Sequence, residues 1–109
     1  MLFQQQVLDK VSGTGVGTNA GVTVTLAAVG TKRLSPLGIQ CSGDAACIVT
    51  IESPAATILY RKRFAAAFNF SDRFDPDDIR GAAGQALLVK ISASTSNCEA
   101  NIQAAVTTR

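Results

Sequence analysis

The chain of 109 residues contains no histidine and no tryptophan, and it has only one tyrosine, one methionine and three cysteines. Without histidine, the commonest general base of enzymes is missing, and Ser-His and Cys-His nucleophile pairs cannot form. Three cysteines without histidine also fall short of the four ligands of a typical structural zinc site. The composition therefore favours a non-enzymatic protein that uses neither a metal nor an organic cofactor.

Charge and long apolar runs are also scarce. Ten basic and eight acidic residues give a net charge of +2, which is too small to indicate nucleic-acid binding. The sequence has no apolar run of about 20 residues, so we expect no membrane span. The opening stretch MLFQQQVLDK lacks the basic and apolar regions of a signal peptide, so we expect synthesis in a cytoplasm.

From Val22 onward the sequence shows a hydrophobic period of two. The alternating runs are VTVTL (22–26), PLGIQC (36–41), CIVTIE (47–52), LLVKISA (87–93) and NCEANIQAAV (97–106). In PLGIQC the inward face would carry Leu37, Ile39 and Cys41. Such alternation is typical of antiparallel strands with one buried and one solvated face. The sequence therefore predicts an all-β domain over residues 22–109, an antiparallel β-sandwich of jelly-roll or immunoglobulin-like topology.

Residues 1–21 differ in composition from the rest. SGTGVGTNAG (12–21) is rich in Gly, Thr and Ser and has no large side chain, as is typical of a flexible or extended connector. The apolar Leu2, Phe3 and Val7 precede it, at spacings that fit either a short helix or a strand. We therefore expect an extended N-terminal arm whose Leu2, Phe3 and Val7 contact a neighbouring subunit.

The segment DRFDPDDIRGAAG (72–84) interrupts the alternation. Asp75 before Pro76, acidic residues after it and Gly81 are signals of a single helical turn, which we place at one end of the sandwich. Aspartates occupy positions 72, 75, 77 and 78. Calcium binding and carboxylate catalysis therefore stay open as alternatives, although the spacing does not match an EF-hand loop.

The three cysteines all fall on inward positions of predicted strands. This placement favours an interpretation of Cys41, Cys47 and Cys98 as small buried side chains. A hairpin with its loop at 42–46 would bring Cys41 opposite Cys47, so a disulfide between these two residues is the alternative.

The densest basic run is YRKRF (60–64). In a strand, Lys62 points away from Arg61 and Arg63, so one of these sets must lie near the core or an interface. The run fits a charged strand edge, a protein interface or a phosphate-binding surface, and we take Arg61, Lys62 and Arg63 as candidate interface residues. The neighbouring aromatic residues share one alternating face and are expected in the core: Tyr60, Phe64, Phe68 and Phe70.

Two stretches carry a family resemblance. LAAVGTKR (26–33) leads into a strand, and GAAGQALLVKISA (81–93) leads into the last alternating strand. Over residues 20–107 the chain resembles small β-sandwich structural proteins of tailed-bacteriophage virions, which include capsid decoration (cement) proteins and head-fibre bases. The resemblance implies a protein without catalytic residues that binds the outside of a capsid, often as a trimer, and bridges capsomers through an arm and a sheet edge.

The expected function is therefore that of a structural virion protein. It would bind the major capsid protein on the capsid exterior and stabilise the shell, as a homo-oligomer. A receptor- or carbohydrate-binding module of a phage tail or fibre is the alternative, although sugar platforms are usually aromatic and most aromatic residues here fall on inward positions. A small hydrolase that uses the aspartates and a nucleic-acid binder that uses Arg61 to Arg63 are further alternatives.

Overall fold

A computed structural model describes residues 9–18, 20–75, 78–92 and 97–108. Within these ranges the chain forms eight strands and no helix, and hence no helix able to cross a membrane. The strands are β1 (Asp9–Gly17), β2 (Val22–Leu26), β3 (Arg33–Gly43), β4 (Cys47–Glu52), β5 (Ile58–Phe64), β6 (Phe68–Arg73), β7 (Leu87–Ile91) and β8 (Cys98–Thr107). The predicted all-β fold is confirmed.

The strands form two antiparallel four-stranded sheets, which pack as a sandwich. Sheet A has the order β1-β8-β3-β6, and sheet B has the order β2-β7-β4-β5. The pairs β1-β8, β2-β7, β3-β6 and β4-β5 are those of one long antiparallel hairpin. The hairpin is folded so that its pairs alternate between the two sheets. This arrangement is a jelly roll, so the structure decides between the two topologies that the sequence left open.

The core lies between the sheets and consists of the inward members of the alternating runs. The buried apolar residues include Val22, Val24, Leu26, Ile39, Cys41, Cys47, Val49, Ile51, Leu87, Val89, Ile91, Cys98, Ala100, Ile102 and Ala104. The prediction for Leu37 is wrong. The register against β8 shifts between Pro36 and Gly38, so Leu37 is the extra residue of a β-bulge. It lines the outer surface of sheet A instead of the core.

The first part of the glycine-rich segment, residues 12–17, belongs to a strand. Residues 9–17 form β1, which pairs with β8 along its whole length. Their place in sheet A differs from the arm and connector that we expected over residues 1–21. The candidate interface residues Leu2, Phe3 and Val7 lie outside the described residues.

Glycine at the inward positions of β1 allows this strand to lie directly on β2. A Cβ added at Gly13 would be 2.9 Å from Val24 Cγ1, and one added at Gly15 would be 2.9 Å from both Val22 Cγ2 and Val24 Cγ2. Such distances are shorter than the contact of about 3.5–4.0 Å that carbon atoms prefer. A larger side chain at either position would therefore push the two edge strands apart.

At the opposite side, the space between β5 and β6 is filled by aromatic rings. Phe64 and Phe68 stack with their centroids 4.1 Å apart, and Phe70 is 4.9 Å from Phe64. Tyr60 meets Phe74 edge to face at 5.3 Å. All five are partly buried against the core, which confirms the prediction for Tyr60, Phe64, Phe68 and Phe70. Inward side chains thus increase in size from glycine on β1 to phenylalanine on β6.

The expected helical turn after Asp72 is a simple hydrogen-bonded turn. Asp78 N donates to Asp75 O at 2.9 Å, and Asp75 N donates to Asp78 Oδ2 at 3.1 Å, while Pro76 and Asp77 lie outside the described residues. The next residues bond to other segments instead of continuing a helix, since Gly81 N donates to Leu34 O at 3.0 Å. A single helical turn without further backbone bonds is unfavourable, which explains the difference.

The segment 78–86 is held over one end of the sandwich by a buried serine. Ser53 Oγ donates to Ala86 O at 2.8 Å and accepts a hydrogen bond from Ala82 N at 3.1 Å. Gly81 lies where an added Cβ would be 2.5 Å from Leu34 O. These contacts fix the connection from β6 in sheet A to β7 in sheet B.

Candidate interaction surfaces

The cysteines are small buried side chains, as the alternation predicted. Cys41, Cys47 and Cys98 are all buried thiols. Cys41 belongs to sheet A, opposite Phe70, and Cys47 belongs to sheet B, opposite Phe64. The two strands do not form the hairpin on which the alternative of a disulfide between Cys41 and Cys47 depended, and both residues carry thiols. Burial raises the pKa of Cys41 to about 12, which keeps this thiol protonated and poorly nucleophilic at neutral pH.

The three described aspartates of this segment, Asp72, Asp75 and Asp78, do not converge on a common site, and Asp77 lies outside the described residues. Asp72 lies on the inward side of β6 and accepts a hydrogen bond from the Tyr60 hydroxyl, whereas Asp75 and Asp78 close the turn described above. Burial, and then the hydrogen bond and negative charge of Asp72, raise the pKa of Tyr60, so the phenol stays the donor. Within the described ranges, no group of three or more His, Cys, Asp or Glu residues could hold a metal ion.

The basic run lies on β5, the edge strand of sheet B. Lys62 points inward, with its Nζ 5.1 Å from the centroid of the Phe70 ring and 6.0 Å from that of Phe64. Arg61 and Arg63 lie on the outer face. The predicted division of the run between two faces is therefore confirmed. A strand edge with this much charge resists pairing with another strand.

The outer face of sheet B carries a small basic patch. Thr50 lies between Arg61 and Lys90 in the strand register. The buried Glu52 accepts hydrogen bonds from Thr50 Oγ1 at 3.0 Å and from Ala56 N at 2.7 Å, and its Oε1 is 3.4 Å from Lys90 Nζ. Burial acts to raise the pKa of Glu52, but these hydrogen bonds and the positive charge outweigh it, so the pKa is lowered. Ionised Glu52 thus offsets part of the positive charge of this patch.

The other side of the sandwich presents an uncharged edge, which consists of residues 12–17 of β1 and Val22–Leu26 of β2. The pairing of β1 with β8 contains no register shift, and Val16 is 68 % exposed. A long edge strand without charge, proline or bulge is a ready template for pairing with another strand. The uncharged edge therefore differs in kind from the basic edge at β5.

The outer surface of sheet A is a broad hollow of about 1120 Å³ that extends across all four strands. We call the three rows of outward side chains on this surface the polar face, and the first two of them, which line the hollow, the upper rows. Each row is given in the strand order β1, β8, β3, β6. The first row is Ser12, Gln103, Gly38 and Arg73, and the second is Thr14, Asn101, Gln40 and Ser71. The third row is Val16, Glu99, Ser42 and Asn69. The alternation in NCEANIQAAV already indicates that Asn101 and Gln103 point outward. The rows themselves depend on the pairing of strands that are distant in sequence.

No protein-family model matches the chain, and no curated protein matches its sequence. The edges and faces of the jelly roll are therefore the basis for the functional proposals that follow.

Proposed function

We propose that the protein is a non-enzymatic structural component of a phage virion that binds the outer surface of a capsid and stabilises it. The observation that carries this proposal is the uncharged edge. A protein that remains alone in solution is expected to protect its long edge strands. Here the β5 edge is protected by Arg61, Lys62 and Arg63, whereas β1 has no charge after Lys10.

The jelly roll is compatible with this proposal. The eight-stranded double sheet occurs in viral capsid proteins and in lectins, so the architecture alone does not assign a function. The resemblance of residues 20–107 to small virion proteins favours the structural role.

In the proposed assembly, β1 pairs with a strand of the major capsid protein or of a neighbouring copy. The apolar Leu2, Phe3 and Val7 directly precede β1 in the chain and would dock on the same partner. Burial of Leu2 or Phe3 would contribute about 1.5–3 kcal/mol each. A trimer would repeat this contact three times on one shell, which raises the overall affinity without any new type of contact.

Deletion of residues 2–8 tests the contribution of the arm, because it leaves β1 intact. The truncated protein should keep the circular dichroism spectrum and thermal midpoint of the full chain. Its co-sedimentation with capsids of the encoding phage, prepared without this protein, should be lost. Light scattering after size exclusion would show in parallel whether the full chain is a trimer.

Val16→Lys tests the edge itself. The added charge lies on an exposed position of β1 and should leave stability unchanged while it weakens capsid binding. Val29→Lys, at an exposed position in the loop after β2, is the matched control and should bind like wild type. If the truncated protein and Val16→Lys both co-sediment with capsids as well as the full chain does, the proposal is wrong.

A further inference from the structure

We propose that the polar face of sheet A is a binding site for a neutral oligosaccharide. This site shares β1 with the uncharged edge that we propose for capsid binding, but it uses the outward side chains of that strand and not its free backbone groups. The inference rests on four features: the kinds of side chain in the rows, the dimensions of the hollow, an apolar wall at one end, and the distribution of charge.

The two upper rows supply neutral side chains that both donate and accept hydrogen bonds. The six are Ser12, Thr14, Gln40, Ser71, Asn101 and Gln103. Amide and hydroxyl groups each combine donor and acceptor capacity, as sugar hydroxyl groups do. Five of the six are exposed and Asn101 is half-buried. Within the described part of the chain none of the six side chains takes part in a hydrogen bond, so their polar groups are available to a ligand.

The dimensions of the hollow suit an extended ligand. Neighbouring strands lie about 4.8 Å apart, so a row that crosses four strands spans roughly 14 Å. The volume of about 1120 Å³ exceeds the roughly 300–1,000 Å³ of pockets that enclose a drug-sized molecule. Gly38 lies between Gln103 and Arg73 in its row and has no side chain, so the surface of the sheet is lower at this position. These features favour an oligosaccharide over a single sugar.

One end of the hollow has an apolar wall. The β-bulge turns Leu37 out of the core and into the lining of the hollow, next to Phe74. Phe74 N donates to Leu37 O at 2.8 Å, and the edge-to-face contact with Tyr60 holds the ring. Sugar rings carry apolar C–H faces as well as hydroxyl groups, and the half-buried Leu37 offers such a face a contact.

The charges do not favour the other ligand classes. Lys10, Arg73 and Asp75 lie at the two ends of the hollow, so the neutral positions between them offer no continuous cationic track for a nucleic acid or another polyanion. A peptide that binds a β-sandwich uses the backbone of a free strand edge or apolar pockets, whereas the two upper rows of the polar face present polar side chains. A neutral polyhydroxylated ligand matches the side chains that are present.

The test is a screen of the full-length protein on an array of neutral oligosaccharides with α- and β-linked hexoses, N-acetylhexosamines and deoxyhexoses. Binders are then titrated into ¹⁵N-labelled protein and followed by NMR. We expect saturable shifts at outward positions of β1, β3 and β8 that do not depend on salt concentration. Gln40→Ala and Asn101→Ala should each weaken binding about tenfold.

Thr25→Ala, on the exposed outer face of sheet B, is the matched control and should bind like wild type. Thermal midpoints would show that all variants are folded. The inference is overturned if no neutral oligosaccharide binds, if the shifts map to another surface, or if only anionic glycans bind and salt abolishes the interaction. Capsid co-sedimentation should be unchanged in Gln40→Ala, so failure of this inference can be told from failure of the proposed virion function.

Discussion

Gly15→Ala tests whether β1 lies directly on β2, which is the feature of the fold least expected from the composition of the chain. The new methyl group would lie 2.9 Å from Val22 Cγ2 and 2.9 Å from Val24 Cγ2. Both valines are buried in the core and carry β-branched side chains, which have few alternative rotamers. The clash can therefore be relieved only if the two strands move apart.

The expected cost follows from two opposing effects. Overpacking a core by a methyl group costs about 1–3 kcal/mol. Alanine also restricts the unfolded chain more than glycine does, and this effect stabilises the folded state by about 0.4–1 kcal/mol. The net loss in free energy of unfolding is about 1–2 kcal/mol. At roughly 4–8 °C per kcal/mol for a domain near this size, the thermal midpoint should fall by about 4–16 °C.

Urea unfolding followed by far-ultraviolet circular dichroism would measure this loss, since the chain has no tryptophan to report by fluorescence. Thr14→Ala, an exposed outward position of the same strand, is the control and should change stability by less than about 0.5 kcal/mol. In a double-mutant cycle, Val24→Ala should relieve part of the cost of Gly15→Ala. If Gly15→Ala is as stable as wild type or more so, β1 does not rest on β2 and the segment is the connector that its composition suggests.

Three further predictions concern buried polar groups. Ser35 is fully buried and its hydroxyl has no hydrogen-bond partner among the described residues, so Ser35→Ala should raise the free energy of unfolding by about 1 kcal/mol; a lower urea midpoint would contradict this. Because the pKa of Tyr60 is raised from 10.0, the free energy of unfolding of the wild type should fall as pH rises above about 10. Tyr60→Phe should remove this alkaline loss. If urea titrations give the same dependence on pH for the variant, the prediction is refuted. The pKa of Glu52 is lowered from 4.5, so the contribution of ionised Glu52 to the free energy of unfolding is present above that pH and is lost as pH falls through the folded-state pKa. Glu52→Gln should therefore reduce the loss of stability at acidic pH. An equally steep acid loss in the variant would count against this prediction.

The strands of the core could be predicted because alternation is a local property of the sequence. The strand β1 could not, because glycine carries no hydrophobic signal. Gly13, Gly15 and Gly17 do recur with a period of two, but only the contacts of Gly13 and Gly15 with β2 show that the period belongs to a buried face. The Leu37 bulge was missed for a related reason, since it depends on how β3 meets β8 and not on β3 alone.

The hairpin alternative for Cys41 and Cys47 fails for a different physical reason. Two strands with alternating apolar residues and a short turn between them can bury their apolar side chains in two arrangements. They can lie side by side in one sheet, or in the two sheets on opposite sides of the core. Alternation is the same in both cases, so it cannot distinguish a hairpin from the crossing between sheets that the jelly roll uses. The polar face was missed likewise, because its rows combine β1, β8, β3 and β6, whose neighbours in the sheet are far apart in the chain.

The two proposed interactions meet at β1, and this leads to a final prediction. Pairing of a partner strand with β1 would extend sheet A by one strand, beside Ser12 and Thr14 at the β1 end of the polar face. The new strand would add outward side chains to the two rows that we propose to bind sugar. The affinity for an oligosaccharide should therefore be higher in capsid-bound protein than in free protein, and titration of both forms would measure the difference. Equal affinities would mean either that the capsid is not bound through β1 or that the sugar does not reach this end of the rows. Capsid co-sedimentation of Val16→Lys would distinguish the two cases, because it weakens only if β1 binds the capsid.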